Sequence, residues 1–186
     1  NYKTEKYYLF QKLNMISSQA EENKKARVQK AYGKVDIGGE WTLHDTKGNE
    51  FGSSNLSGKY YIIYFGFCNF PDICPASLKK LANALDIVRE KKQTNPLDLE
   101  LVFVSVDPER DDNKRIEKFL SFFHKDIIGV TGKSNEDLNL KETLKKFRIY
   151  ATRIEFEQED ESGKLQKGYT YDHSVIAYLM SDQNEY

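Results

Sequence analysis

The stretch "YYIIYFGFCNFPDICPASL", residues 60–78, decides the fold. Its first eight residues form a near-continuous run of aromatic and β-branched side chains, which predicts a strand buried on both faces. Pro75 suits the first position of a helix, and Leu78, Leu81, Leu85 and Val88 then recur on one helical face. Both cysteines of the chain, Cys68 and Cys74, fall in the loop that joins this strand to this helix.

Working outward, the same alternation recurs. "GGEWTLHDTKGNEF" (38–51) reads as a β-hairpin with "TKGN" as its turn. "ELVFVSVD" (100–107) is a second buried strand, followed by the polar break "PERDDN" and a helix facing inward through Ile116, Phe119, Leu120 and Phe123. "SNEDLNLKETLKKF" (134–147) repeats the helical spacing at Leu140, Leu144 and Phe147, with Ser134 as its expected cap. "RIEFEQEDESGKLQKGYTY" (153–171) reads as a hairpin with an acidic tip, and "SVIAYLM" (174–180) as a last strand. Strands alternating with helices and ending in antiparallel strands predict an α/β fold: a mixed sheet flanked by helices on both faces.

The bulk properties fit one such domain plus an extension. The chain has 186 residues, 39% apolar and 31% charged, and its 12 tyrosines and 11 phenylalanines supply a core. Basic and acidic residues number 28 and 29, a balance that argues against a dedicated nucleic-acid binder. No apolar run reaches the roughly 18 residues that a membrane span needs. Residues 1–34 are polar and lysine-rich, with Leu9, Leu13 and Ile16 on one helical face, and predict a helical extension or membrane-proximal stalk. Residues 35–186 form the expected domain. The sequence opens on Asn1 rather than a methionine, so a presequence or anchor upstream is expected.

In sheets of this kind, function gathers where loops leave the carboxyl ends of the central strands. With Pro75 as the first helical residue, Cys74 would be the N-cap, and the helix dipole would favour its thiolate. Burial for packing alone is the competing account of that cysteine. Cys68 ends an apolar strand and has nothing local to activate it. Of three histidines, His44 falls in the first hairpin and reads as solvated, and His124 sits at a helix end, where a cation near the carbonyls explains it. His173, in "YDHSV", is equally a ligand or a turn residue on these grounds. Copper(I) and zinc both accept thiolates with imidazole as a further donor.

Six segments in order, "GGEWTL", "LSGKYYIIYFGF", "PDICPASL", "FVSVDPERDD", "GVTGK" and "YDHSVIAYLM", give the chain a specific resemblance to the Sco/SenC family over Gly38–Met180. The resemblance implies a thioredoxin-like fold, and a role in copper delivery and thiol redox control during cytochrome c oxidase assembly. It implies a metal site of two cysteines, from a Cys-Pro-x-x-Cys-Pro loop, and the histidine of an Asp-His-Ser triplet. Carried over, the second cysteine is Cys74 and the histidine is His173, but Phe70 stands where the first cysteine belongs, with Cys68 two positions earlier.

Two accounts follow. Either Cys68 substitutes as third ligand and pairs with Cys74 in a disulfide when oxidised, or the site is degenerate and two donors hold copper poorly. The second is preferred, because metal affinity follows ligand number and geometry. The expected role is then an interaction or accessory protein rather than an enzyme, with cytochrome c oxidase subunits or assembly factors as partners. The expected place is the intermembrane-space side of the mitochondrial inner membrane, or else a bacterial periplasmic face. The alternative role is a copper metallochaperone using Cys68, Cys74 and His173. Peroxidase chemistry is disfavoured: Cys74-Pro75 is similar to a peroxiredoxin motif, but Phe67 and Pro71 occupy its two preceding key positions. A thioredoxin-type dithiol would require Cys-x-x-Cys, and single-thiol redox chemistry at Cys74 stays open.

Overall fold

The computed structural model describes residues 36–69, 73–91, 97–159 and 164–186. The expected extension over 1–34 and the altered loop position Phe70 lie outside the described residues. Ile37–Tyr186 fold as one unit.

Among the described residues, eight strands and three α-helices follow one another along this unit. β1 (Thr42–Asp45) and β2 (Glu50–Gly52) make the first hairpin, and a short 3-10 turn (Ser53–Leu56) leads into β3 (Tyr60–Gly66). Then come α1 (Ile73–Glu90), β4 (Leu99–Ser105), α2 (Asn113–Ser121), β5 (Ile127–Thr131) and α3 (Leu138–Lys146). The chain ends in β6 (Ala151–Glu159), β7 (Leu165–His173) and β8 (Ala177–Met180). Six strands form one sheet in the order β2-β1-β5-β4-β3-β8. Its centre, β5-β4-β3, is parallel, and β1 and β8 are antiparallel to their neighbours.

Period-two alternation sorts the side chains into two cores. From β3 and β4, Tyr61, Ile63, Phe65, Val102 and Val104 enter one core, where Phe147 from the end of α3 meets them. Tyr64, Leu101 and Phe103 enter the other, under Leu78 and Leu85 of α1 and Ile116 and Leu120 of α2. Each fully buried large side chain is worth roughly 1.5–3 kcal/mol relative to exposure, so helices on both faces of the sheet carry the stability. This is the expected α/β architecture.

Two features differ from the sequence expectations. β5 is a strand that the pattern does not announce: it is short, with Gly129 at its middle. A Cβ there would stand 2.5 Å from Ile116 and 2.8 Å from Leu120, so the glycine lets α2 sit down on the sheet. The cap of α3 is Asp137 rather than Ser134. The Asp137 carboxylate accepts N–H bonds from Asn139 (2.9 Å) and from Lys133 (2.7 Å), satisfying donors on both sides of the helix start.

β6 and β7 pair only with each other, Ala151 opposite His173 through Glu159 opposite Leu165. Most of this ribbon is exposed; its base, at Tyr171 and His173, is buried against the domain.

Candidate functional site

The carboxyl ends of β3 and β4 and the base of the ribbon meet at one place. Phe67 and Cys68 follow β3 directly; Asp107 and Asp111 lie in the loop that follows β4; His173 closes β7.

Cys74 and His173 come together. Cys74 Sγ lies 3.7 Å from His173 Nε2, and both residues are buried. His173 Nδ1 is 3.0 Å from the Ser174 carbonyl oxygen, which can only accept, so Nδ1 carries the proton and Nε2 turns a lone pair to the sulfur. Burial pushes the His173 pKa down, outweighing the Ser174 hydrogen bond, and the ring is neutral at physiological pH. The Phe67 ring packs edge-to-face with the imidazole, with ring centroids 5.4 Å apart at 74°.

Cys74 corrects the helix-cap expectation. α1 begins at Ile73, so Cys74 stands inside the first turn, and Pro75 is tolerated there because first-turn N–H groups have no helical partner. The side chain is 0% exposed and faces the sheet rather than solvent. Burial pushes its thiol pKa up rather than down, against the smaller opposing effects of the Tyr64 hydroxyl and the Phe67 N–H. Desolvation therefore sets the direction of the shift at this position. The sulfur also fills the space that a side chain at residue 66 would need: a Cβ on Gly66 would lie 2.9 Å from it.

Cys68 is bonded to Asp111. Its N–H donates to Asp111 Oδ2 at 2.8 Å, and its thiol pKa is pushed far up, by burial first and then by the Asp111 charge. Among the described residues, no three His, Cys, Asp or Glu side chains form a group able to hold a metal ion. Both cysteines are free thiols. Two donors of one ion, at about 2.3 Å from sulfur and about 2.0 Å from nitrogen, stand roughly 3.5 Å apart at tetrahedral angles. The Cys74–His173 spacing is close to that, so this pair fits two positions of a coordination shell.

The other histidines are elsewhere. His44 is half-buried on β1 with Nδ1 enclosed and, among the described residues, without a hydrogen-bond partner, not the solvated residue expected. His124 Nε2 lies 3.0 Å from Asp86, and its Nδ1 accepts the Asp126 N–H.

Sequence reasoning missed the loop after β4. Asp107 and Asp111 are both 0% exposed. Asp111 Oδ2 also accepts from Ser105 Oγ at 2.6 Å, and burial raises the Asp111 pKa. Asp107 Oδ2 accepts from Arg110 Nε at 2.5 Å, and Asp107 Oδ1 from the Tyr169 hydroxyl at 3.1 Å. Two acids four residues apart, with an arginine between them directly after a buried strand, were the available signal.

A cysteine in the first turn of the helix after β3, opposite a histidine delivered by a late strand, on a mixed sheet with helices on both faces, defines a thioredoxin-like domain with a thiol–imidazole pair at its strand ends. The SCO1/SenC family model matches residues 29–186, and the chain belongs to that family. It is 37% identical to "Protein SCO1, mitochondrial" of Saccharomyces cerevisiae over 93% of this chain and 55% of that protein. It is 39% identical to "Protein SCO1 homolog 1, mitochondrial" of Arabidopsis thaliana over 81% of this chain and 41% of that one. The chain thus spans about half the length of these curated relatives. The crystal structure of Arabidopsis thaliana ScoI with copper bound matches at a TM-score of 0.66 and 38% identity, covering 80% of this chain and 84% of that one. Among the described residues, no helix is long and apolar enough to cross a membrane.

Proposed function

We propose that this chain serves cytochrome c oxidase assembly or structure mainly as an interaction or accessory protein, because Phe70 replaces the first copper-ligand cysteine of the family motif. The observation that carries this reading is that, among the described residues, Cys74 and His173 converge without a third donor, while Cys68 is bonded to Asp111. Two donors grip a soft cation poorly, since affinity follows ligand number and geometry. Its partners are oxidase subunits or assembly factors, on the intermembrane-space side of the mitochondrial inner membrane. Mitochondrial relatives and family membership support that placement. Residues 1–34, expected as a helical extension, would lead towards an anchor or a partner complex.

A second reading is copper delivery through Cys68, Cys74 and His173, with a Cys68–Cys74 disulfide in the oxidised form. It is favoured by the 3.7 Å Cys74–His173 spacing and by a relative that holds copper. Anaerobic copper(I) titration of the reduced protein separates the two. Weak binding in the parent, made tight by Phe70→Cys, is expected under the first reading. Tight equimolar binding that Cys68→Ser, Cys74→Ser and His173→Ala each weaken would replace it with the second.

A further inference from the structure

The histidine half of the site is carried on a two-stranded ribbon with little core of its own, and isolated ribbons of this kind are marginal in water. Something must fix where its base sits. Tyr169, Tyr171 and His173 alternate on one face of β7. The Tyr169 ring lies 3.7 Å from the Arg110 guanidinium and 3.8 Å from that of Arg153. Two planar cations at that height cannot share one face of a ring, so the tyrosine is clasped between them. Its hydroxyl donates to buried Asp107, and Arg110 Nη1 donates to the Tyr169 carbonyl oxygen at 2.6 Å. Glu109 and Glu155, each 3.2 Å from Arg153, offset the second positive charge.

From this clasp, two routes lead to the site. A chain of ring contacts runs Tyr169–Tyr171 (6.0 Å), Tyr171–Phe67 (5.9 Å) and Phe67–His173 (5.4 Å). A hydrogen-bonded chain runs back through the loop after β4. The Asp107 N–H donates to Ser105 Oγ at 3.1 Å; Ser105 Oγ donates to Asp111 Oδ2, which also takes the Cys68 N–H.

We infer that Tyr169, clasped by Arg110 and Arg153 and hydrogen-bonded to Asp107, is the positioning residue that sets His173 opposite Cys74. The loop after β4 is thereby the common anchor of both sides of the site, holding the Cys68 backbone through Asp111 and the His173 strand through Asp107. The inference rests on Cys74 and His173 working as a pair. A residue that merely stabilised the ribbon would lower the melting temperature and leave the Cys74–His173 contact intact.

The test uses the full chain, metal-free and reduced, in a Cys68→Ser background so that Cys74 is the sole thiol. Proton NMR follows the nuclear Overhauser contact between the His173 ring and the Cys74 methylene, and iodoacetamide reports Cys74 accessibility. Tyr169→Leu removes both clasp and hydroxyl. It is expected to abolish the contact and to speed alkylation about tenfold, equivalent to about 1.4 kcal/mol in the local opening equilibrium. Tyr169→Phe keeps the stacking and is expected to restore the contact partly, with the His173 ring resonances displaced from their parent positions. Should Tyr169→Leu fail to fold, Tyr169→Phe and Arg110→Lys decide the matter through those resonances. A retained contact and parent alkylation rate in Tyr169→Leu overturn the inference, as do unchanged His173 resonances in both conservative variants. All readouts are taken without copper, so tight copper binding by the parent would count against the proposed function alone.

Discussion

Cys74 and His173 are 99 residues apart in sequence and 3.7 Å apart in space. Neither is placed by its own neighbourhood. The cysteine is set by the entry of α1 beneath the sheet, and the histidine by the base of a ribbon that is not part of that sheet. Their meeting is a product of tertiary structure, and its chemistry follows from burial.

Burial holds both thiols above the ordinary cysteine range, with Asp111 adding to the effect at Cys68. Neither sulfur is then a thiolate at neutral pH, and thiolate is the reactive form. Iodoacetamide is expected to leave Cys68 and Cys74 unmodified in the native protein over a period that labels both in urea, as counted by mass spectrometry. Rapid labelling of Cys74 in the native state would restore the activated cysteine expected from a helix start.

Gly66 makes room for the Cys74 sulfur. A methyl group there would meet Sγ at 2.9 Å, the Phe103 ring at 3.2 Å and the Tyr64 ring at 3.4 Å. Gly66→Ala is expected to destabilise the domain by about 1–3 kcal/mol, as overpacking of a filled core does. Urea denaturation measures this, and an unchanged midpoint would show that the sulfur can yield.

Asp137 caps α3, and its pKa is lowered. Partial burial pushes it up, but N–H bonds from Lys133, Asn139 and Leu140, with the nearby His44, outweigh that. A carboxylate lowered on folding contributes stability that is present above its unfolded value of 3.8 and is lost as pH falls through the folded value. Asp137→Ala is therefore expected to cost about 1 kcal/mol at neutral pH. The gap between parent and variant should close as the solution is made more acid than pH 3.8. A gap independent of pH would assign the cap another origin.

The sheet was legible because its central strands carry their pattern locally. The runs at 60–67 and 100–107 are largely buried on both faces, and their short length and aromatic and β-branched content suit strands. β5 was not legible, because its requirement for Gly129 comes from α2 lying across it rather than from its own residues. The candidate site divides in the same way. Loop chemistry and family resemblance point to Cys74 and His173, whereas the protonation of Cys74 depends on a degree of burial that the helix-start argument does not contain. The clasp around Tyr169 was invisible because Arg110, Arg153 and Tyr169 come from three separate segments, each reading as ordinary polar surface.

The hydrogen bond from His173 Nδ1 to the carbonyl of the very next residue has a stoichiometric consequence. With the ring neutral and its bare nitrogen already aimed at the sulfur, the thiol hydrogen is the only one that an incoming ion must displace. Copper(I) taken up by Cys74 and His173 alone should acidify a weakly buffered solution by one equivalent per ion, and recruitment of Cys68 should double that. A pH-stat can therefore count the sulfurs that engage the ion.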